Sequence, residues 1–326
     1  VPWRLSPERY RVVCMVALAL LCIIVVSGAA VRLTGSGLGC DDWPNCNNTK
    51  LIDVSSTHAA IEQVNRLFTG LVALGVIVAV LGSLARSPRR RDLTWLSVGL
   101  VAGVVGQIVL GGITVLVDLH PAAVQGHFLL SMVLVANAVW LVHRAGQPDA
   151  PLAPTVSPSV RRHVFGVAVA TLVAITLGTV LTGAGPHAGD EVARRFDIAI
   201  GTAARLHSVG VWVAVAVVAR LMWRLRSLHA DRAVLEGTVV AWVCIALAQG
   251  ALGYLQYFTG VPAALVAIHV AGATLLWGIT VWMVARLRSA EVSAHDAPHE
   301  LGALVDDGRE EPADVADEVG EHLGAP

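Results

Sequence analysis

Apolar residues run through this chain in blocks of about twenty, and short polar stretches separate them at near-regular intervals. Eight blocks can be marked, at about residues 11–33, 62–85, 94–117, 122–143, 162–183, 203–225, 235–257 and 263–286. Each is long enough to cross the hydrocarbon core of a bilayer as a helix. Arginines orient the blocks. Arg4, Arg9 and Arg11 precede the first, and "RSPRRR" (86–91) joins the second to the third. Arg144, Arg161 and Arg162 flank the next such connection, Arg224, Arg226 and Arg232 the one after, and Arg286 and Arg288 follow the last block. With eight crossings all of these fall on one side, so both termini are expected in the cytoplasm and the chain in the cell (plasma) membrane. The first block is too long for a signal peptide and has a retained internal counterpart, so it is expected to stay as a span.

Composition leaves little room for another class. Hydrophobic residues make up 55% of the 326, charged residues 14%, and mean hydropathy is +0.67. These values predict an all-α polytopic membrane protein and exclude a soluble domain or a nucleic-acid binder. The net charge of −1 hides a segregation. Residues 289–326 hold 11 of the 24 acidic residues and one arginine, without aromatic residues or apolar periodicity. They are expected to form an acidic, disordered cytoplasmic tail.

The chain is written twice. "QIVLGGITVLVDLHPAAVQGH" (107–127) and "QGALGYLQYFTGVPAALVAIH" (249–269) share Gln, Leu-Gly, Ala, Val and the final His in register, at an offset of 142 from Gln107 to Gln249. The same offset carries Asn65 onto His207. "LTGSG" (33–37) matches "LTGAG" (181–185) at an offset of 148, the difference falling in the first loop on the arginine-poor side. A tandem duplication of a four-helix unit follows, with both copies entering the membrane in one orientation and related by a pseudo-two-fold axis along its normal. The expected organisation is a cytoplasmic N-terminus (1–10), a four-helix bundle (11–143), a cytoplasmic linker (144–161), a second bundle (162–288) and the tail (289–326).

Polar residues inside spans are costly and point to function. His58, Glu62, Asn65 and Arg66 share one face at the start of the second span. His127, His207 and His269 lie at similar depth near the starts of the fourth, sixth and eighth spans. Any single histidine is also explained as an interhelical hydrogen bond. His207 and His269 together are what the two axial positions of a haem iron require, with Gly210, Gly253, Ala271 and Gly272 allowing close approach. The absence of Cys-x-x-Cys-His means that such a haem is not covalently attached. The first half keeps His127, has Asn65 in place of the second histidine, and adds Glu62 and Arg66; Ala204 and Ser208 stand at those two positions in the second half. This asymmetry is that of a reaction half beside a cofactor half. Cys14, Cys22 and Cys244 lie in spans. Cys40 and Cys46, in "GCDDWPNCN", face oxidising conditions that permit a disulfide closing a short loop, with a redox or positioning role as the alternative.

These residues resemble the heme A synthase family, whose members oxidise haem O to haem A for cytochrome oxidase. The resemblance covers about residues 10–288 and rests on "SGAAVRLTGSGLGC", "IEQVNRL", "LGGITV", "HPAAVQGH" and the histidines of the sixth and eighth spans. It implies two pseudo-symmetric four-helix bundles, a haem B cofactor on His207 and His269, and substrate haem O in the first half. It also implies a disulfide between Cys40 and Cys46. The partners it implies are haem O synthase and cytochrome oxidase assembly factors, with lipid around the spans and a homo-oligomer left open. One departure stands out. The family has Glu-x-x-His-Arg on the second span, where this chain has Glu62-x-x-Asn65-Arg66. The stripe His58, Glu62, Asn65 and Arg66 is then expected to line the substrate cavity, with the iron held by His127 on one side and the other face left to a weak ligand, to water or to His58. His58 and His120 are nearby but do not match the motif position, and a second cysteine pair is absent from "GPHAGDEVARR".

The implied reaction turns a ring methyl into a formyl group through successive hydroxylations, the geminal diol losing water. Glu62 is then placed to accept a proton or to stabilise a cationic intermediate. A simple Glu62–Arg66 ion pair is the structural alternative. Arg66 and Arg205 stand where haem propionates could be met. A membrane b-type electron-transfer cytochrome explains the histidines but leaves Glu62 and the broken symmetry without a role. A transporter predicts spans interrupted by paired Gly/Pro breaks, which are absent.

Overall fold

A computed structural model describes residues 4–290. Eight helices carry nearly all of it: α1 (Pro7–Leu33), α2 (Thr57–Ala85), α3 (Arg91–Leu116), α4 (Pro121–Ala145), α5 (Pro158–Ala184), α6 (Ile200–Leu225), α7 (His229–Phe258) and α8 (Ala263–Ala285). All eight are long and apolar enough to cross a membrane, and the chain is a multi-pass membrane protein. Several starts are set by local chemistry. Ser6, Ser56 and Ser157 accept backbone N–H groups three residues on, and Pro7, Pro121 and Pro158 occupy first-turn positions that need no donor.

Each expected span coincides with one of these helices, and the largest shifts are at two starts. Helix α2 begins at Thr57 rather than 62, because the polar turn "THAAIEQ" is helical although it is not apolar. Helix α7 begins at His229 rather than 235. Two short strands were not expected. β1 (Leu152–Pro154) pairs antiparallel with β2 (Arg288–Ala290), so the connection between α4 and α5 is tied to the segment after α8. Ser289 and Ala290 therefore belong to a strand, and the rest of the expected acidic tail lies outside the described residues.

Neighbour relations follow the chain order. α1 lies against α2 and α4, and α3 lies against the same two; α5 lies against α6 and α8, and α7 against the same two. Contacts between the halves run through α1, α4, α5 and α8. Half of the most apolar window of α4 is buried, against 11% for α7, which puts α4 at the centre and α7 at the periphery.

Hydrogen bonds inside the helix array satisfy groups that lipid could not. Tyr10 and Ser97 pair at 2.9 Å, the Trp242 indole donates to Thr280 at 3.0 Å, and the Trp277 indole donates to the Met132 carbonyl at 2.8 Å. At the arginine-rich end, fully buried Arg90 donates to the carbonyls of Arg144, Gln147 and Pro148 and pairs with Asp92 at 2.7 Å. Arg144 reaches the same carboxylate at 2.9 Å, so the start of α3 is locked to the end of α4.

Candidate functional site

Two groups of polar side chains gather at the end of the molecule opposite the arginine-rich loops. In the second half, His207 of α6 and His269 of α8 face one another, ring centroids 6.4 Å apart and planes at 75°. Two metal–imidazole bonds of about 2 Å each, with about 1 Å from each nitrogen to its ring centre, sum to about 6 Å. The centroid separation is thus compatible with one metal between the rings. The Nδ1 of His207 donates to the Ala174 carbonyl of α5 at 3.0 Å, which fixes the proton on that nitrogen and leaves Nε2 as the free donor atom. Glycines make room for the rings. A Cβ at Gly178 would come 3.1 Å from the His207 ring, and one at Gly253 would lie 3.6 Å from that of His269. Gly210 instead meets Leu177, and the space over Gly272 is filled by Gln249.

No group of three or more His, Cys, Asp or Glu among the described residues could hold a metal ion unaided. Two facing imidazoles suit a metal that brings its other ligands with it, as a macrocycle does.

The first half repeats part of this arrangement. His127 of α4 lies against Gly111 as His269 lies against Gly253, at the same offset of 142. The position of the second histidine is taken by Asn65, whose Oδ1 accepts from Ser27 Oγ of α1 at 2.8 Å. Asn65 is thus held as a hydrogen-bonding residue.

The rest of the α2 stripe grips the loop between α1 and α2. Cys40 and Cys46 form a disulfide, and the backbone N–H of Cys40 donates to Glu62 Oε2 at 2.7 Å. Glu62 is 5% exposed. Its Oε1 accepts from Nε and NH2 of Arg66 at 3.0 and 2.6 Å. Arg66 then reaches into the disulfide loop, donating to the carbonyls of Asn45 at 3.0 Å and Asp42 at 3.2 Å. His58 Nδ1 pairs with Ser36 Oγ at 2.9 Å. Within the same loop the Trp43 indole packs onto α3 where Gly112 has no side chain; a Cβ there would lie 2.5 Å from the ring. Asp53 closes the loop's outer turn, accepting from the Ser55 N–H and the Asn47 amide, and the Ser55 hydrogen bonds hold its carboxyl below the usual range.

The remaining expectations divide. His120 caps α4, its Nδ1 accepting the Ala122 N–H at 3.4 Å. Arg205 donates to Thr202 Oγ1 at 3.3 Å. Ser27, Ala174 and Gly178 are not singled out by the sequence. Ala174 acts through its backbone carbonyl, which no side-chain pattern reports.

Eight membrane-crossing helices, with a facing histidine pair and a buried acid–arginine clamp on a disulfide loop, define a polytopic helical membrane protein. A sequence model described as cytochrome oxidase assembly protein matches residues 11–60 and 48–281, and the chain belongs to that family. Among its relatives is the heme A synthase of Symbiobacterium thermophilum, 29% identical over 295 residues that cover 83% of this chain and 93% of the relative. The heme A synthase of Shouchella clausii is 26% identical over 73% of this chain and 83% of its own length. That of Bacillus cereus strain ATCC 14579 is 22% identical over 85% and 93%.

Proposed function

We propose that this chain is a heme A synthase, an oxidoreductase that converts the ring methyl of haem O to the formyl group of haem A for cytochrome oxidase biogenesis. The observation that carries the reading is the 6.4 Å separation of His207 and His269, in a chain whose relatives bear that name. Haem B is the cofactor these two residues would hold, through Nε2 of His207 and a ring nitrogen of His269. Bound there, haem B supplies reversible one-electron chemistry at its iron.

The first half is the substrate half. His127 offers one axial nitrogen to the iron of haem O, and Asn65, committed to Ser27, offers none. Glu62 is the proton acceptor for methyl oxidation, which must release protons as well as electrons close to the ring. Arg66 holds the Glu62 carboxylate by two N–H groups, and the Cys40 N–H holds its other oxygen, so the acid is oriented before substrate arrives. The two sets of four helices are pseudo-symmetric bundles, a reading supported by the matching Gly111–His127 and Gly253–His269 contacts. Both termini are cytoplasmic and the disulfide loop is on the outer face of the plasma membrane, a reading that the arginine distribution supports. Haem O synthase, as the source of substrate, and oxidase assembly factors are the proposed partners.

Extraction of haems from membranes with and without the chain tests this directly. Haem A should appear, at the expense of haem O, only where the chain is present. Substituting His207 or His269 by alanine should remove the low-spin haem spectrum of the purified protein. Membranes that carry the chain and haem O but make no haem A would overturn the reading.

A further inference from the structure

Seven buried side-chain nitrogen or oxygen atoms among the described residues lack a hydrogen-bond partner, and four of them are two copies of one pair. Gln107 Oε1 and His127 Nδ1 are unpartnered in the first half; Gln249 Oε1 and His269 Nδ1 are their counterparts at the offset of 142. Burial without a partner is unfavourable for each atom, so the same four in two copies call for a reason.

The atoms are complementary in chemistry. An amide oxygen can only accept. An imidazole that gives its Nε2 lone pair to a metal carries its proton on Nδ1 and needs an acceptor there. His207 already has one in the Ala174 carbonyl. His269 does not. Its ring lies against Gly253 of α7, and Gln249 is one turn away on that helix. The Gln249 side chain fills the space over Gly272, three residues beyond His269 on the same face of α8. In the first half Gln107 Nε2 is anchored by the His127 carbonyl at 3.2 Å and by Ser131 Oγ at 2.7 Å. Ala273 stands where Ser131 would be in the second half, so no hydroxyl there holds the Gln249 amide.

We propose that Gln249 is the positioning residue of His269: its Oε1 accepts the Nδ1–H of His269 when Nε2 binds the haem iron. The bond fixes the tautomer and ring orientation and makes the imidazole a stronger donor to ferric iron. The inference rests on the assignment of His207 and His269 as an axial pair, and its test separates the two.

The experiment is a redox titration of haem b in the purified, haem-loaded full-length protein, with a low-temperature electron paramagnetic resonance spectrum of the ferric form. Wild type is compared with Gln249→Leu, Gln249→Glu and Gln249→Asn. Gln249→Leu removes the acceptor and should raise the midpoint potential, shifting the ferric–ferrous ratio about tenfold, or 59 mV for one electron. It should also move the low-spin resonance. Gln249→Glu keeps an acceptor at the same reach and should hold the potential at or below that of wild type. Because a carboxylate charge alone would also lower the potential, Gln249→Asn, which withdraws the acceptor without adding charge, separates the hydrogen bond from charge. Should Gln249→Leu not assemble, Gln249→Asn withdraws the acceptor while remaining polar, and the same upward shift is expected. Wild-type potential and resonance in every variant overturn the proposal while leaving the axial pair intact. A low-spin haem that survives His269→Ala overturns the pair, and the proposal with it.

Discussion

Glu62 accepts the backbone N–H of Cys40 at 2.7 Å, so the single acid of α2 is hydrogen-bonded to a residue of the disulfide. Arg66 binds Glu62 on one side and two carbonyls of the disulfide loop on the other. The loop and the proposed catalytic acid therefore form one mechanical unit. Any change that loosens the loop also releases the acid.

Cys46→Ser should act on Glu62 at a distance. Opening a loop this short costs about 2 kcal/mol of conformational restriction. The expected outcome is a fall in haem A with haem B retained, measured by haem extraction. Thiol labelling of intact cells should detect Cys40 and Cys46 only after reduction. Label taken up before reduction would argue against the bridge in the cell, and label taken up only after the membrane is opened would argue against an outer-face loop.

Glu62→Ala should lower haem A formation by about 100-fold or more, the scale of lost general acid–base catalysis, with the haem b spectrum unchanged. Glu62→Gln keeps an oxygen for the Cys40 N–H while removing the charge, and should fail nearly as badly. Normal haem A from Glu62→Ala would reduce the Glu62–Arg66 pair to a structural ion pair.

Asn65→Ala deletes one hydrogen bond, to Ser27, worth about 1 kcal/mol. Haem A yield should fall less than in Glu62→Ala. His127→Ala should instead lower the amount of haem O that co-purifies with the chain. Equal losses in the two variants would mean that Asn65 contributes as much to substrate binding as the histidine.

Much of this was legible in the sequence. Eight spans, the facing of His207 and His269, and the Cys40–Cys46 pair are carried by residue type and position, which a single chain displays. The clamp was only half legible. The i,i+4 spacing announces Glu62–Arg66, but their partners are backbone groups of Cys40, Asp42 and Asn45, and backbone groups leave no mark on residue identity. The Ala174 carbonyl at His207 escapes notice for the same reason. The strands Leu152–Pro154 and Arg288–Ala290 are three residues each, too short for alternation to register, and their pairing spans most of the second half.

Arg90→Ala tests the far end of the molecule. Its guanidinium serves three carbonyls at the end of α4, and losing it leaves the buried Arg144 carbonyl without that donor, at a cost of about 2 kcal/mol. Thermal unfolding in detergent should move to lower temperature. The haem b spectrum of the folded fraction should be that of wild type, because Arg90 lies at the opposite end from the histidines.

The β1–β2 pair gives the polypeptide an unusual tolerance. Its second half leaves the ladder at β1, makes four passes and returns to the same ladder at β2, so the start and finish of that half are stitched together without help from the first. The backbone between Gly146 and Ala150 then carries little of the burden of keeping α5–α8 assembled. Encoded as two separate polypeptides divided there, the halves should each insert and find one another through α1, α4, α5 and α8, as an ancestral pair of unfused subunits would have had to do.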